Sequence, residues 1–405
     1  RIYVAPVLPD YLWRDRTIAL FEERVRREPR DQVVIKLLAA QYMQRYRENQ
    51  DPGDILRAAD RARRTIALQP QNNASGFEIL ASAYTALHRF RVARAFEARA
   101  QRANPADSNP PAQMASLDME LGDYAGAKRD LATAARIRIT PTVLSVRARY
   151  LELTGHLTQA RVLLRRAMEQ SDSIADNSAQ SRAWYHFRAG ELAFSVGDIA
   201  EAKQDERDAL TAFPGFEMAY RALARFCWAT KDWNCALNTA SKGAQIVPEP
   251  EILGYQADAQ DALGKRADAA QTRALIVALE RIGNAYRLND RLLAVYFAEH
   301  GTHRSDALRI AQREVRVRGN EIYAQDTLAW AAAMAGRWTI ASQAARRAVR
   351  FDTDDSRIQF HAGLIALHFN RRNEARRRLQ KALSLNPRFD PFYADKARET
   401  LASLR

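Results

Sequence analysis

Little in this sequence interrupts a helix. Of its 405 residues, only 16 are glycine and 14 are proline, whereas alanine, leucine, arginine and glutamate are common. Such a composition favours a chain that is mostly helical. Long apolar runs are also missing, because the longest, residues 328–336, is far below the roughly 18 to 20 residues that a membrane span needs. We therefore expect a helical protein with no transmembrane segment.

The signatures of common active sites are absent as well. The sequence contains no GxSxG elbow, no phosphate-binding loop, no GxGxxG and no HExxH. Among the seven histidines, His300 and His303 flank a turn glycine with Asp306 nearby, and this arrangement favours a solvated turn over a weak metal contact. We predict that the protein is not an enzyme and that it binds no metal and no cofactor.

Positive charge is in excess, with 62 basic residues against 48 acidic residues and a formal net charge of +14. A basic chain of this kind can bind nucleic acid, anionic lipid or an acidic polymer. The arginines are scattered among carboxylates along the whole chain, so nucleic acid is not the expected partner. The alternative that stays open is a polyanion bound by four arginine clusters: Arg61, Arg63 and Arg64; Arg161, Arg165 and Arg166; Arg346, Arg347 and Arg350; and Arg371, Arg372 and Arg376 to Arg378.

A short pattern recurs along the chain. Five segments place a glycine or another turn residue five positions before an alanine: GDYAGA, GHLTQA, GDIAEA, KDWNCA and GRWTIA. With four further alanines, the marks are Ala93, Ala127, Ala160, Ala202, Ala236, Ala269, Ala307, Ala341 and Ala375. Successive marks keep a nearly constant spacing, except for two longer steps, from Ala160 to Ala202 and from Ala269 to Ala307. The constant spacing is about 34 residues, and a period of this size indicates stacked structural repeats.

The period, the turn residues and the small-residue marks together resemble the tetratricopeptide repeat family, whose unit is a pair of antiparallel helices in about 34 residues. The resemblance covers roughly residues 30 to 388. It implies an all-α fold, a right-handed α-solenoid superhelix of about ten helix-turn-helix repeats. The last amphipathic piece is expected to be a C-terminal capping helix, because the end of a solenoid needs a polar outer face.

Differences in composition along the chain, together with the repeat period, predict how it is divided into parts. We predict five parts: an extended apolar segment (1–15), an N-terminal repeat array (16–169) of about four repeats, a polar loop or hinge (170–181), a C-terminal array (182–388) of about six repeats, and the capping helix (389–405). The loop is predicted within the longer step between Ala160 and Ala202, in a stretch that is low in apolar residues.

The resemblance also predicts where a partner binds. In this family the first helix of each repeat lines a concave groove with its positions 2, 5, 9 and 12. Carried onto this chain, the aromatic-rich candidates are Trp184, Phe187, Glu191, Phe194, Met218, Arg221, Arg225, Trp228, Tyr323, Asp326, Trp330, Arg357 and Phe360. Aromatic residues interleaved with arginine are typical of interface hot spots. The alternative is that these side chains pack against one another or against a terminal segment.

The N-terminal segment is apolar enough to need a partner of its own. Its apolar residues include Tyr3, Leu8, Tyr11, Leu12 and Trp13, and two prolines keep its start extended. The segment either folds back on the repeats of its own chain or enters the groove of a neighbouring copy. The second possibility would make head-to-tail assemblies that can grow into filaments.

The two cysteines, Cys227 and Cys235, flank the turn of the sixth repeat at equal distances from Lys231. Residues equidistant from the turn of a helical hairpin lie near one another, so a disulfide is possible if the side chains converge. Two unrelated thiols remain the alternative. Two ligands are too few for a structural zinc site, and the CxxC spacing of catalytic redox sites is absent.

These observations predict an interaction scaffold or adaptor that binds a protein segment of unknown identity in its groove. A self-assembling structural subunit is the first alternative, and a polyanion-binding protein is the second. The C-terminal repeats resemble those of exported bacterial proteins of this family. With the possible disulfide and an Arg at position 1, the resemblance favours a periplasmic or extracellular location over a cytoplasmic one.

Overall fold

A computed structural model describes residues 9–286 and 290–404, with side chains described outside 280–290. Tyr3 and Leu8 of the predicted assembly segment therefore lie outside the described residues. In the described part of the chain, no strand occurs and no helix is long and apolar enough to cross a membrane.

The described residues form one short 3-10 helix (Asp10–Trp13) and 22 α-helices. The α-helices are α1 (Arg14–Arg27), α2 (Gln32–Asn49), α3 (Pro52–Leu68), α4 (Ala74–Ala86), α5 (Phe90–Ala103), α6 (Asn109–Glu120), α7 (Tyr124–Ile137), α8 (Pro141–Leu153), α9 (Leu157–Ser173), α10 (Ala179–Ser195), α11 (Ile199–Ala212), α12 (Glu217–Ala229), α13 (Trp233–Ile246), α14 (Pro250–Ala262), α15 (Arg266–Tyr286), α16 (Asp290–Glu299), α17 (Arg304–Arg318), α18 (Ile322–Met334), α19 (Trp338–Ala348), α20 (Ser356–His368), α21 (Arg372–Leu385) and α22 (Tyr393–Ser403). Ten hairpins run from α2 with α3 to α20 with α21, preceded by α1 and followed by α22. The predicted α-solenoid of about ten repeats with a C-terminal capping helix is therefore confirmed.

The repeat pattern has a direct structural reason. All nine alanine marks, from Ala93 to Ala375, are completely buried, because they lie where the second helix of a hairpin packs closely on its neighbours. The turn before each mark contains a residue with positive φ, and in three turns an aspartate then caps the second helix, as at Gly197 and Asp198. Gly197 adopts φ +79°, which ends α10, and Asp198 Oδ1 accepts a hydrogen bond from the Glu201 N–H at 3.1 Å, which caps α11.

Successive turns of the superhelix touch along one line, which we call the seam. It joins the hairpin turns at residues 121–123, 153–157 and 194–198 to the inter-repeat loops at 319–322, 351–354 and 386–387. Asn386 donates a side-chain hydrogen bond to the Phe194 carbonyl at 2.7 Å, and the Thr353 hydroxyl donates to the Leu153 carbonyl at 2.9 Å. The partners are 192 and 200 residues apart, so one superhelical turn takes about six repeats.

Glycine makes the seam possible. A Cβ on Gly122 would lie 2.5 Å from the backbone nitrogen of Glu321, and one on Gly155 would lie 2.9 Å from the Phe351 carbonyl oxygen. Real Cβ atoms do not approach backbone atoms so closely. Each hairpin turn can therefore contact its loop only if the residue at that point is glycine. The aromatic ring of Tyr124 then packs edge-on against Phe351, with centroids 5.0 Å apart.

The N-terminal end also contacts the next superhelical turn. Asp10 Oδ1 accepts a hydrogen bond from the Ala179 N–H at 3.0 Å, and the Tyr11 ring packs on Phe213 with centroids 5.1 Å apart. The prediction that residues 1–15 are extended is wrong for residues 10–15, which are helical. Proline is compatible with the start of a helix, so Pro9 precedes the 3-10 helix here, and an ion pair between Asp10 and Arg14 supports the first turn.

The break between the two halves is shorter than predicted. The α9 helix continues to Ser173 and α10 begins at Ala179, so the polar stretch 170–181 contributes only residues 174–178 to the loop. The Ser171 side chain is fully buried and its hydroxyl accepts a hydrogen bond from Asn177 at 2.7 Å. The longer step between Ala160 and Ala202 thus reflects two helices of 17 residues each rather than a long hinge.

The structure joins Cys227 of α12 to Cys235 of α13 by a disulfide, with Cα atoms 5.7 Å apart. Cys227 is completely buried, whereas Cys235 is half-buried at the start of α13. Asp232 caps α13 by accepting from the Cys235 N–H at 3.2 Å, which fixes the position of the second cysteine. The bridge therefore closes the hairpin of the sixth repeat.

Replacing Cys235 with serine tests this bridge. In the chain-entropy model, closing so short a loop stabilises a protein by about 2 to 3 kcal/mol. We expect Cys235→Ser to lower the urea midpoint of the oxidised protein, while wild type with reductant coincides with the variant. Identical midpoints of oxidised and reduced wild type, or an intact mass showing two free thiols in protein from its native host, would contradict the bridge.

The seam can be tested by adding one methyl group. Gly122 and Gly264 have nearly the same backbone, with φ +75° and +78°, but a Cβ on Gly264 meets nothing within 4 Å. Gly264→Ala should cost only the strain of a left-handed residue, about 1 to 2 kcal/mol. Gly122→Ala should cost more and should increase the radius of gyration measured by small-angle X-ray scattering. Equal losses of stability with unchanged dimensions would show that the seam does not hold the turns together.

Candidate functional site

The superhelix encloses a cavity of about 330 Å³, which we call the lumen. Its wall is formed by the first helices of seven successive repeats, α8, α10, α12, α14, α16, α18 and α20, together with the segment that follows α21. Because the seam joins one superhelical turn to the next, these helices lie around one central space. A volume of this size accommodates a small ligand or a few residues of a peptide.

Ten of the thirteen predicted groove residues line the lumen: Phe187, Glu191, Phe194, Arg221, Arg225, Trp228, Tyr323, Asp326, Trp330 and Arg357. They come from four different repeats, and the superhelix brings them to one place. Trp228 and Trp330 keep only 5% and 6% of their surface exposed, so both are wall residues rather than free surface. Whether these residues bind a partner remains a prediction.

Three predicted residues are not in the wall. The prediction that Phe360 lines the groove is wrong. Phe360 has no exposed surface, and its ring stacks on Tyr393 of α22 with ring centroids 4.7 Å apart. The capping helix folds over the end of the solenoid and covers that position. Trp184 packs edge-on against Tyr185 at 5.1 Å, and Met218 packs on the hydrophobic core, so neither reaches the lumen.

The capping segment also contacts the tryptophans of the wall. Phe392 packs on Trp228 with centroids 6.0 Å apart, and the Tyr393 hydroxyl accepts a hydrogen bond from the Trp330 indole at 3.2 Å. Packing against a terminal segment, which was the alternative to partner binding, therefore accounts for part of the aromatic surface. The remaining lumen wall combines charged residues with apolar and aromatic ones.

Arginines and carboxylates of the wall form ion pairs within one helix and between helices of different repeats. Arg225 donates to Glu191 at 2.7 Å and Arg357 to Glu299 at 2.8 Å. Glu152 accepts from Arg188 at 2.7 Å and from Arg149 at 2.8 Å. Burial raises the pKa of the Glu152 carboxyl, but the two guanidinium charges outweigh burial and hold that pKa below its ordinary value.

Two histidines of the wall are held by aspartates. His300 Nε2 lies 3.1 Å from Asp258 Oδ1, while Asp258 Oδ2 accepts from the Trp228 indole at 2.9 Å. Burial acts to lower the pKa of His300, but the hydrogen bond and charge of Asp258 outweigh it and raise that pKa. His361 Nδ1 lies 3.1 Å from both oxygens of Asp326, and the His361 ring stacks on Trp330 at 4.2 Å.

Several wall residues were missed by the sequence analysis although the repeat register places them. Positions 9 and 12 of the fourth repeat are Arg149 and Glu152, and positions 2 and 9 of the seventh are Glu251 and Asp258. Glu299 occupies position 12 of the eighth repeat. The selection of aromatic-rich repeats left them out, since these five positions carry charged side chains.

The outer surface shows how the arginine clusters are used. Arg161 and Arg165 both pair with Glu201, and Arg165 also binds both oxygens of Asp205. Arg378 pairs with Asp352 at 2.8 Å. Carboxylates from neighbouring repeats thus neutralise part of the charge that a polyanion would need.

One group of side chains in the described residues has the spacing of metal ligands outside the disulfide region. Ligand atoms of His186, Asp205 and Asp208 lie within 4.8 Å of one another on the outer face. Both Asp205 oxygens already accept from Arg165, at 2.8 and 2.5 Å, so this carboxylate is neutralised by a cation of the protein. The arrangement fits an ion-pair network around the buried Asp205 carboxylate.

Comparisons with known proteins show which solved structures the fold resembles. No protein-family model and no curated protein matches the sequence. Among solved structures, the chain is similar to the human IFIT1 dimer with PPP-AAAA, with a TM-score of 0.53 and 16% identity over 79% of this chain and 72% of that chain. PilW, a widely conserved type IV pilus biogenesis factor, gives a TM-score of 0.43 with 18% identity over 51% of this chain and 92% of its own. Pseudomonas aeruginosa pilF gives 0.42 with 15% identity over 52% and 91%.

At such identities a structural likeness concerns the fold alone, and only the first of these matches is close enough to support it. The ten helical hairpins, the buried alanine marks and the likeness to IFIT1 agree with one another. The chain has the fold of a tetratricopeptide-repeat α-solenoid.

Proposed function

We propose that this protein is a non-enzymatic interaction scaffold whose lumen binds an extended segment of a partner protein. One observation carries the proposal: seven successive first helices direct arginines, carboxylates and tryptophans into the same enclosed space. This combination of residue types is typical of interface hot spots. An extended segment is the form of a partner protein that suits a lumen of about 330 Å³, since a folded domain is far larger.

The charges of the wall argue against a polyanion as the ligand of the lumen. Six arginines line it, and seven carboxylates line it with them. The structurally similar IFIT1 was solved as a dimer with PPP-AAAA. A polyanion needs cations that are free to donate to it, whereas Arg221, Arg225 and Arg357 already donate to carboxylates of this chain.

The disulfide supports a location for the scaffold. Stable disulfides belong to oxidising compartments, and the bridge between Cys227 and Cys235 closes a hairpin within the array. We therefore place the protein in the periplasm or outside the cell, with the cytoplasm as the alternative.

Filling the lumen tests the proposal. Val295 lines the lumen on α16 and is half-buried, whereas Val162 on α9 is 58% exposed and lies outside it. We expect Val295→Trp to reduce recovery of a co-purifying partner by about tenfold or more, because the indole occupies the space of the segment. Val162→Trp, the matched control, should leave recovery unchanged.

The measurement is affinity capture from the soluble, envelope and extracellular fractions of the native host, quantified by mass spectrometry. Thermal unfolding of both variants verifies that each is folded. Equal recovery of every partner by the two variants would show that the lumen is not the binding site.

Self-association is a second candidate function, favoured by the outer face of α1 and the residues before it. Leu12, Trp13 and Leu20 are 56%, 42% and 59% exposed, although Tyr11 beside them packs within its own chain. Trp13 and Leu20 are seven residues apart and therefore lie on the same side of the helix. An exposed apolar face of this kind can bind a second copy.

Sedimentation velocity over a range of concentrations tests this candidate. Wild type should show larger species as concentration rises, and Leu20→Glu should remain monomeric because the charge opposes burial of the face. Val162→Glu, at a similarly exposed position elsewhere, should behave as wild type. A wild type that stays monomeric at every concentration rules the candidate out.

A further inference from the structure

One core position of the repeat is apolar in most repeats and acidic in two. It lies on the second helix of each hairpin, four residues after the alanine mark. Leucine or alanine occupies it in six repeats and is buried each time. From the second repeat to the tenth, the residues are Glu97, Leu131, Leu164, Glu206, Ala240, Arg273, Ala311, Ala345 and Leu379. Glu97 and Glu206 are only 3% and 0% exposed, so these two acids lie in the core as the leucines do.

In the fifth repeat, the fold provides space for Glu206 but no hydrogen-bond partner. A Cβ on Gly190 of α10 would lie 2.5 Å from Glu206 Oε1, so the carboxyl fills the place of a side chain on the facing helix. Neither carboxyl oxygen has a hydrogen-bond partner among the described residues. The tenth repeat uses the same arrangement for an apolar residue, since a Cβ on Gly363 would lie 3.0 Å from Leu379 Cδ2. The site of Glu206 is therefore built for an uncharged group.

The two arginines whose charge acts on Glu206 donate to other carboxylates. Arg225 of α12 donates to Glu191 at 2.7 Å, and Arg188 of α10 donates to Glu152 at 2.7 Å. Both guanidinium charges favour ionisation of Glu206, but neither donates a hydrogen bond to it. A buried carboxylate without a cation is costly, whereas the protonated carboxyl carries no charge and costs far less.

The other charged groups around Glu206 oppose its ionisation or are already paired. Glu191 of α10 and Asp205 of α11 add negative charge. Arg165 of α9 donates to Asp205 at 2.8 Å, and His186 of α10 lies beside the same aspartate. Burial is the largest effect on Glu206, and it raises the pKa of this carboxyl well above its ordinary value.

We propose that Glu206 is a proton-dependent contact of the fifth repeat, which holds α11 on α10 while the carboxyl is protonated and loosens when it is ionised. An ionised carboxylate needs water or a cation, and α11 must move away from α10 to provide either. The α10 helix also carries Phe187, Glu191 and Phe194 of the lumen wall, so this part of the wall loosens with the contact. The contact exists whether or not the lumen binds a partner.

The direction of the pH dependence follows from which state keeps the proton. A glutamate exposed by opening of the repeat loses its proton near its ordinary pKa of about 4.3, whereas packed Glu206 keeps it. The packed state is therefore favoured most below that pH, and this advantage is lost as the pH rises toward the raised pKa. While opening releases one proton, the opening constant increases about tenfold per pH unit.

Hydrogen–deuterium exchange, read by mass spectrometry on the full chain, measures the opening constant of α10 and α11 at each pH. Glu206→Gln removes the charge and keeps the shape, and Glu206→Leu supplies the residue that faces Gly363 in the tenth repeat. At equal pH, the opening constant of wild type divided by that of either variant should rise by about tenfold per pH unit between pH 5 and 7. Glu169→Gln, at an exposed position of α9, should behave as wild type, and α20 with α21 should show no such trend.

Two results would overturn the proposal. A ratio that stays constant between pH 5 and 7 would show that Glu206 has the same charge in the packed and the opened repeat. A ratio that falls as the pH rises would show that the ionised carboxylate stabilises the packing. Thermal unfolding at pH 5 verifies that each variant is folded, and if Glu206→Gln is not, the comparison with Glu206→Leu decides.

Discussion

The close approach of backbone to backbone along the seam is the contact on which the rest of this structure depends. In an ordinary solenoid each repeat touches only its neighbours, and the superhelix stays open. Here the turns at Gly122 and Gly155 rest directly on loops about 200 residues further along the chain. The absence of a side chain at these points sets the distance between superhelical turns. That distance brings helices of successive turns around one central space.

The arrangement of helices around the lumen reduces the exposure of its charged residues to water. In an open groove, Arg225 and Glu191 would be a surface ion pair of small energetic value. In the lumen they are largely removed from water, so each must be matched by the other or by a ligand. The pairs therefore add little to stability beyond covering the cost of their own burial. Their main effect is to hold side chains such as Arg357 and Glu299 in fixed positions before any partner arrives.

Most of the repeat architecture could be predicted from the sequence because it depends on contacts within one repeat and with the next. The alanine marks and turn residues lie close together in the chain, and they identified the hairpins in the correct register. The same register correctly predicted ten residues of the lumen wall. It would also have predicted Arg149 and Asp258 if it had been applied to every repeat. The sequence contains no comparable signal for the seam. Its position follows from a small rotation per repeat accumulated over about six repeats, and a slight change in that rotation would separate Gly122 from Glu321.

The same limit explains the errors at the two ends. Phe360 has a groove register, but α22, which begins at Tyr393, folds over it. Tyr11 belongs to an apolar segment that composition alone cannot assign to its own chain or to another, and its ring lies on Phe213. Each of these two contacts joins residues that are far apart in the sequence. Whether they meet depends on how all the helices between them fold.

The docking of the N-terminal end has a consequence for synthesis. Asp10 and Tyr11 contact Ala179 and Phe213, which the ribosome adds roughly ten to forty seconds later at ordinary rates of elongation. During this interval the first repeats can form their hairpins, because those contacts are local. Asp10 and Tyr11, however, still lack the residues that they contact in the folded protein. The 3-10 helix Asp10–Trp13 therefore gains the contacts that hold it in the finished fold only after about half of the chain has been made.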